Sequence, residues 1–251
     1  ETQLIMTQRI LSTVLTAGLI LSAIVPVQAE VGLGADVVSR YIFRGTDFGN
    51  AATIQPSLSY SHGSLEIGAW SSWAITDAAA DENDLYVTYS NGPVAVTVTD
   101  YYFPNGTSDS GDGVIVTAVY VEDGDSTTVR TAVPGPRTQS SEFFDYSADG
   151  SHILEIMATV DLEVASVTGA ANFHGDSEDS MYLEVALPLS GEWSEGADVS
   201  VAVGAGNGVY TTDNKFGLVV LSVTASKDSY SASYILNPES ELTFLVFGKS
   251  F

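Results

Sequence analysis

Two arginines in the first alternating run of the chain are the side chains whose type and spacing most directly suggest chemistry. Arg40 and Arg44 lie four residues apart, so in an extended strand they point to the same side, which Asp36 shares. Charged groups that line a pore set which ions and solutes pass. Alternatively, the arginines form salt bridges with Glu66 and Asp84 on neighbouring strands and hold the interior together. The sequence leaves both interpretations open.

Cysteine and histidine are too scarce for the usual thiol and imidazole chemistry. The chain has no cysteine, which excludes a disulfide framework, a thiolate metal site and a thiol nucleophile. The three histidines, His62, His152 and His174, are far apart in the sequence. A histidine-based metal or catalytic cluster needs long-range convergence, so we favour solvated or hydrogen-bonded histidines.

Other short motifs match known sites only in part. The acidic runs 109–113 and 123–125 contain Asp and Gly residues but lack the twelve-residue calcium-loop pattern with its closing Glu, so we expect solvated loops. Ser151 and His152 are adjacent and point to opposite faces of a strand, so they form no dyad with each other. No glycine-rich nucleotide motif opens a helix. We therefore predict no enzyme, no catalytic residue, no metal site and no cofactor.

The chain is strongly acidic. Its 32 Asp and Glu residues outnumber 8 Lys and Arg residues, for a net charge of −24 at pH 7. Such a surface repels nucleic acid, so we expect no nucleic-acid partner. Two explanations of the acidity stay open: carboxylate-rich loops keep a protein solvated in salty water, and a carboxylate-lined lumen favours cations.

The N-terminus has the pattern of an export signal. An arginine precedes an apolar run over residues 10–27, which Pro26 interrupts and which is followed by the small residue Ala29. A transmembrane anchor helix is the alternative, but the proline and the absence of a basic flank after the run disfavour it. We predict a cleaved signal peptide with upstream residues over 1–29 and a single domain over 30–251.

Period-two alternation of apolar and polar residues dominates the rest of the chain. About twelve runs show it, an even number, as a closed antiparallel barrel requires. The runs are 35–44, 53–61, 65–75, 84–90, 94–103, 154–162, 165–174, 181–189, 199–205, 216–225, 230–236 and 242–251.

The connections predict an up-and-down order of strands. Several joins are short and rich in turn residues, such as 62–64, 90–93 and 227–229. Residues 104–150 break the rhythm, and we interpret them as a long loop insertion that carries its own hairpin. In a barrel, long connections belong on the extracellular side.

A transmembrane barrel explains the pattern better than a soluble β-sandwich. The last run reaches Phe251, which lets the final strand pair with the first, and a sheet in lipid has to close. Charges within the runs fall mainly on the polar register, since a lipid-facing charge costs about 2–4 kcal/mol at the bilayer midplane. Aromatic residues gather at the ends of the runs, where an interfacial girdle places them. They include Tyr41, Phe43, Trp73, Tyr101, Tyr102, Phe103 and Phe247.

The first third of this region contains a set of short motifs that a known family shares. They are the run Ser39-Arg40-Tyr41-Ile42-Phe43-Arg44-Gly45, Pro56, Gly68-Ala69-Trp70-Ser71-Ser72, Asp84-Leu85-Tyr86-Val87-Thr88-Tyr89 and Tyr102-Phe103-Pro104. In these motifs the chain resembles the TorF family of proposed outer-membrane porins, which is also catalogued as a Gcw-type conserved hypothetical family. The resemblance implies an outer-membrane barrel with a transport function and names no substrate.

We therefore predict an all-β, antiparallel up-and-down transmembrane β-barrel in a bacterial outer membrane, in contact with membrane lipid. It acts as a porin-like channel for passive diffusion of small hydrophilic solutes or ions. A non-conducting structural or surface-binding barrel and a secreted soluble β-sandwich are the alternatives, and the oligomeric state stays open. The predicted pore-lining residues are Asp36, Arg40, Arg44, Glu66, Trp70, Asp84, Tyr86, Glu155, Asp161 and Glu184.

Overall fold

Twelve antiparallel strands close into a barrel in the computed structural model. The structure describes residues 29–76, 80–104, 114–122, 125–133, 143–147 and 150–251, so the predicted signal peptide lies almost wholly outside the described residues. The barrel strands are β1 Glu30–Val38, β4 Thr53–His62, β5 Leu65–Ala74, β6 Glu82–Asn91, β7 Val94–Tyr102, β10 His152–Leu162, β11 Ala165–His174, β12 Met181–Pro188, β13 Asp198–Gly206, β14 Gly217–Lys227, β15 Tyr230–Asn237 and β16 Leu242–Ser250.

Each barrel strand pairs with the barrel strands before and after it in the chain, which makes the fold an up-and-down barrel. β1 closes the ring by pairing with β16, and a further bond joins the Phe251 amide to the carbonyl of Ala35. The predicted fold class is thus confirmed. The soluble sandwich is wrong, because a single sheet closes on itself where a sandwich stacks two.

The two ends of the barrel differ in the length of their connections. At one end, here called the turn end, four of the five connections have two residues each, at 63–64, 92–93, 163–164 and 228–229. At the other, here called the loop end, the connections are longer and the two longest follow β1 and β7. A two-residue turn is too short to fold into the lumen, so segments that enter or cover it come from the loop end.

Side chains alternate between an apolar outer face and a mostly polar interior. Successive side chains of a strand point to opposite faces of the sheet, so every second residue faces the lumen. The strand register aligns these inward residues between neighbouring strands. The outward apolar side chains are exposed on every strand. Taking one from each, they include Leu33, Leu58, Ile67, Val87, Val96, Ile156, Phe173, Leu183, Val203, Val223, Tyr234 and Leu245.

Tyrosines inside the barrel lie over glycines of the neighbouring strand. A methyl group at Gly68 would meet the ring of Tyr86, and one at Gly204 would meet the ring of Tyr182. Glycine leaves room there for a large inward ring, and the pairing fixes the register of these strands.

The first strand is shorter than the sequence predicts. It begins earlier, at Glu30, and ends at Val38, so the predicted run 35–44 is wrong beyond Val38. The chain then forms a small antiparallel hairpin, β2 Ile42–Phe43 and β3 Thr46–Asp47, which enters the lumen. We call residues 42–47 the inner hairpin. Alternation continues through it, and for this reason the sequence does not reveal the break.

The insertion after β7 also carries a hairpin, as predicted. Its strands are β8 Val114–Glu122 and β9 Asp125–Val133. Before β10 begins, residues 143–147 pack against the barrel wall. Within the described part of the chain there is no helix of the length and apolarity that a membrane span needs.

Candidate functional site: a constricted lumen

The inner hairpin crosses the lumen because of its turn. Arg44 and Gly45 both have positive φ, 50° and 79°, as the two central residues of a type I′ turn require. The Gly45 carbonyl accepts a hydrogen bond from Asn237 of β15 at 3.0 Å, and a methyl group at Gly45 would collide with the Val219 carbonyl of β14. The tip therefore lies directly against the wall formed by β14 and β15.

From this tip, Arg44 reaches Glu155 on β10 in a buried ion pair. Arg44 is 4% exposed and Glu155 is 1% exposed. Both guanidinium nitrogens Nη1 and Nη2 donate to the carboxylate, with Nη2 2.9 Å from Oε1. Because two charges in a dry site need many partners, the additional hydrogen bonds of the pair matter as much as the contact itself.

Aromatic side chains supply those partners. Arg44 Nη1 donates to the Tyr210 hydroxyl at 2.7 Å, and Tyr101 donates to Glu155 Oε1 at 3.0 Å. The guanidinium carbon lies 4.6 Å from the ring centre of Phe43 and 4.7 Å from that of Tyr182. Ring faces attract a cation, most strongly where water is excluded. The hairpin is thus fixed to β10 as well as to β14 and β15.

Arg40 lies nearer the loop end and is partly exposed. It forms a bidentate ion pair with Asp47 of β3, with Nε 2.9 Å from Oδ1. Its guanidinium lies 5.2 Å from the ring centre of Phe244 on β16. The pair braces the base of the inner hairpin.

The predicted salt-bridge partners of the arginines are wrong, although both arginines form ion pairs. Glu66 accepts hydrogen bonds from Ser61 and Tyr86, at 2.8 and 3.1 Å, while the arginines pair with Asp47 and Glu155. The prediction placed Arg44 on β1, beside β4. The break after Val38 carries it across the barrel to Glu155 instead.

A row of buried acids faces the inner hairpin from β6. Glu82 and Asp84 are both buried and lie two residues apart on the inward face of this strand. Tyr41 is also buried here and packs on Trp70, with ring centres 5.6 Å apart. The lumen is therefore narrowed here by aromatic rings and lined by carboxyl groups.

Tyr41 and Phe43 are not part of an interfacial girdle, and neither is Tyr101. Tyr41 is buried against Trp70, and Phe43 packs on Tyr101 inside the barrel, with ring centres 6.1 Å apart. Outward aromatic residues near the two ends do exist. They are Tyr60, Tyr89, Tyr230 and Phe247 towards the turn end, and Trp73 and Phe173 towards the loop end.

Towards the turn end the interior is lined by small hydroxyl side chains. Pairs of them hydrogen-bond across neighbouring strands, Thr88 with Thr97 at 2.9 Å and Thr159 with Thr168 at 3.0 Å. Thr224 and Ser233 form a third such pair at 2.9 Å. Short polar side chains leave more of the lumen open than the aromatic and charged groups at the loop end do.

The strand register places the predicted pore-lining residues as follows. Eight face inward from barrel strands: Asp36 on β1, Glu66 and Trp70 on β5, Asp84 and Tyr86 on β6, Glu155 and Asp161 on β10, and Glu184 on β12. Arg40 and Arg44 reach the interior from the connection that carries the inner hairpin. Asp161 is exposed at the turn end, and Glu184 accepts a hydrogen bond from Tyr182.

Several residues of the constriction escape sequence reasoning. Glu82 and Asp84 are two residues apart and so face the same side, but the predicted strand begins at residue 84 and does not include Glu82. The sequence analysis assigns Tyr101 to an interfacial girdle, although Tyr101 alternates in step with the inward residues Thr97 and Thr99. Tyr210 lies in a connection, Gly208–Tyr210, where alternation carries no information.

The family comparison places this barrel among bacterial proteins. The profile of a family described as "Bacterial protein of unknown function (Gcw_chp)" matches residues 24–236, from β1 nearly to the end of β15. The chain belongs to the Gcw_chp family. The predicted resemblance is confirmed for the Gcw family, whereas the TorF designation is not part of the match. No curated protein matches the chain. Gcw_chp membership thus adds a bacterial family and no chemistry.

Proposed function

We propose that this barrel lies in the bacterial outer membrane and forms a narrow channel for small hydrophilic solutes or ions. The observation that carries the proposal is the ring of exposed apolar side chains on all twelve strands around a mostly polar interior. A soluble monomer rarely exposes a contiguous apolar surface of this extent, whereas lipid covers it. Membrane lipid is then the partner of the outer wall.

A closed ring of strands suits lipid for a second reason. Every backbone group in the hydrocarbon region needs a partner within the protein, and closure leaves no long edge. Outward aromatic residues towards both ends, such as Tyr89 and Trp73, fit the two interfaces. The start of β1 and the end of β16 both lie at the turn end, which in outer-membrane barrels faces the periplasm. The longer connections of the loop end then face the outside of the cell.

The lumen's charges favour cations. Asp36 and Glu66 face inward and form no ion pair among the described contacts, while Arg40 and Arg44 are each paired with a carboxylate. A pore lined by carboxyl groups concentrates cations and repels anions. Solutes that pass the inner hairpin must be small, because its tip contacts β14 and β15 while Arg44 contacts β10.

The test is planar-bilayer recording of the barrel purified in detergent from an outer-membrane fraction. Heat-modifiable gel mobility first establishes that the closed barrel is present. We expect discrete current steps with a preference for cations. Recovery of the protein from culture fluid without detergent would contradict the membrane assignment.

The Arg40→Ala variant tests whether the constriction sets selectivity. It leaves Asp47 unpaired in the mouth of the lumen, so we expect a stronger cation preference in the reversal potential across a salt gradient. Lys215→Ala is the matched control, since Lys215 pairs with Asp213 in an exposed loop and its loss changes the net charge equally. Equal selectivity in Arg40→Ala and the wild type would count against a pore-lining role.

The second candidate is a non-conducting barrel, which the inner hairpin specifically favours. The hairpin contacts β10, β14 and β15 at once, so it blocks much of the cross-section. Replacing residues 42–47 with a Gly-Ser linker separates the two candidates. A silent wild type whose variant conducts supports a hairpin-plugged barrel, and silence in both supports a structural role.

A further inference from the structure

A histidine lies fully buried on the outside of the barrel at the loop end. His152 begins β10 and is paired with Tyr102 of β7, on the outward register that Val98 and Ile156 share. Most outward apolar residues of the barrel are exposed, yet His152 is 0% and Tyr102 is 4% exposed. The cover is the segment of residues 143–147, which precedes β10 and lies against this part of the wall.

Both ring nitrogens of His152 face acceptors. Nδ1 lies 2.7 Å from Oδ1 of Asp100 on β7, and Nε2 lies 2.6 Å from the carbonyl oxygen of Phe143. A neutral imidazole carries one N–H and can donate to only one of them. Only the doubly protonated imidazolium can donate to both acceptors at once.

The rings around His152 suit a cation as well. The imidazole is stacked between Tyr102 and Tyr146, with ring centres 4.7 and 4.1 Å away. The faces of tyrosine rings attract positive charge. Asp145, in the same segment, has a pKa below its ordinary value, chiefly because the Ser147 amide donates to it, and His152 also contributes. The Asp100 carboxylate thus contacts a ring that lies between two tyrosine faces.

The other titratable groups in contact do not explain a change near neutral pH. The Tyr146 hydroxyl donates to Asp100 Oδ2 at 2.7 Å, and this bond, with burial, raises the pKa of Tyr146 to about 12. His174 of β11 makes one bond, between Nε2 and the Tyr146 carbonyl at 2.9 Å, which a neutral ring can donate. Tyr102 contributes its ring face.

We propose that residues 143–147 are a pH-operated clasp, closed on the barrel wall by the His152 imidazolium and released when His152 loses a proton. In the neutral form, one ring nitrogen carries a lone pair that points at an oxygen of either Asp100 or Phe143. The two lone pairs then repel each other, so one of the two hydrogen bonds is lost. The attraction between the positive ring and the stacked tyrosines is lost as well. The clasp fixes the chain at the point where the long insertion after β7 returns to the barrel.

The absence of cysteine allows a single-site probe. Phe144 is 88% exposed within the segment, so Phe144→Cys carries a nitroxide spin label without disturbing the contacts of His152. Electron paramagnetic resonance of the detergent-solubilised barrel should show an immobile label at about pH 5 and a mobile label at about pH 9, a range that brackets histidine titration. A label that stays immobile throughout would overturn the proposal.

Two variants identify the responsible group. In His152→Gln the label should be mobile at every pH, whereas in His174→Gln the transition should persist with little change. Heat-modifiable mobility shows that each barrel is folded. Nitrogen-15 spectra of the unmutated, histidine-labelled protein give an independent reading. There, His152 should show two protonated nitrogens when the clasp is closed, and a neutral ring in that state would refute the mechanism.

Discussion

The charge of Arg44 lies in a part of the lumen that excludes water, and its partners come from three different segments of the chain. Glu155 is on β10, Tyr210 is in the connection before β14, and Phe43 is beside it in the inner hairpin. Removing one member of such a pair leaves a buried charge without compensation, which costs more than the pair itself contributes.

Removing either charge alone should therefore destabilise the barrel. We expect Arg44→Met or Glu155→Met to lower the free energy of unfolding by about 3–5 kcal/mol. The double variant removes both charges and should lie close to the wild type. Urea unfolding in detergent, followed by gel mobility, measures all three. A double variant as unstable as the singles would show that lost packing, not the isolated charge, dominates.

Gly45 is the one glycine of the inner hairpin, and we expect its position to tolerate no side chain. Gly45→Ala places a methyl group against the Val219 carbonyl and also strains a positive φ, so the tip has to move and the measured conductance should change. Gly92→Ala is the matched control, because Gly92 has φ 58° with open space around its added methyl. The Gly92→Ala variant should lower the free energy of unfolding by about 1–2 kcal/mol through backbone strain and leave the conductance unchanged.

Among the elements, the barrel strands are predictable from the sequence and the inner hairpin is not. The eleven strands after β1 match the alternating runs to within two residues at each end, because one face of each strand is apolar and the other lines a mostly polar interior. The chain keeps the same alternation as it leaves the wall and forms the inner hairpin. Alternation does not encode where it leaves, because this depends on distant contacts: Ser39 still bonds to Phe247 of β16, whereas the hairpin tip bonds to Asn237 of β15.

The same limit applies to the site. The inward parity of Glu66, Trp70, Asp84, Tyr86, Glu155 and Glu184 follows from their strands. The pairing of Arg44 with Glu155 does not, because 111 residues separate them and only the closed ring brings them together. The clasp was also missed, since Asp100 and His152 break the rule that charges lie on the inward register.

The β11–β12 connection should be sensitive to acid. Asp176 accepts bonds from Ser180, Asn172 and the Glu178 amide. Partial burial acts to raise its pKa, but these hydrogen bonds outweigh it and hold the pKa below the ordinary value. A depressed carboxyl pKa stabilises the fold above the unfolded-state value, about 3.9, and this contribution is lost as pH falls through the folded-state value.

Asp176→Asn should consequently lower the free energy of unfolding at neutral pH and reduce its decline below about pH 4. Urea midpoints measured in detergent across this range check the expectation. Asp213→Asn is the comparison, since Asp213 is exposed and pairs with Lys215 alone among side chains. If the free energy of unfolding falls equally with pH in the wild type and in Asp176→Asn, Asp176 is not the group responsible for the acid sensitivity.

For the molecule as a whole, the position of a charge along the outer wall should decide its effect. Val87 lies mid-strand on the outer face of β6, and Leu65 begins β5 at the turn end; both are about half exposed. In lipid, Val87→Lys should cost about 2–4 kcal/mol and Leu65→Lys about 0–1 kcal/mol. Refolding equilibria in lipid vesicles measure both. Equal costs would mean that this wall does not face a bilayer.

The joint between β1 and β16 has a consequence for how the cylinder is made and undone. Three ladder pairs hold it, Asp36–Ser250, Val37–Lys249 and Val38–Gly248, with bonds of Ala35 and Ser39 at its two ends, whereas nine ladder pairs join β1 to β4. Its strands are also the farthest apart along the polypeptide, so zipping them carries the largest loss of chain entropy. We expect this seam to be the last to form during assembly and the first to part under heat, when the tube unrolls from one side.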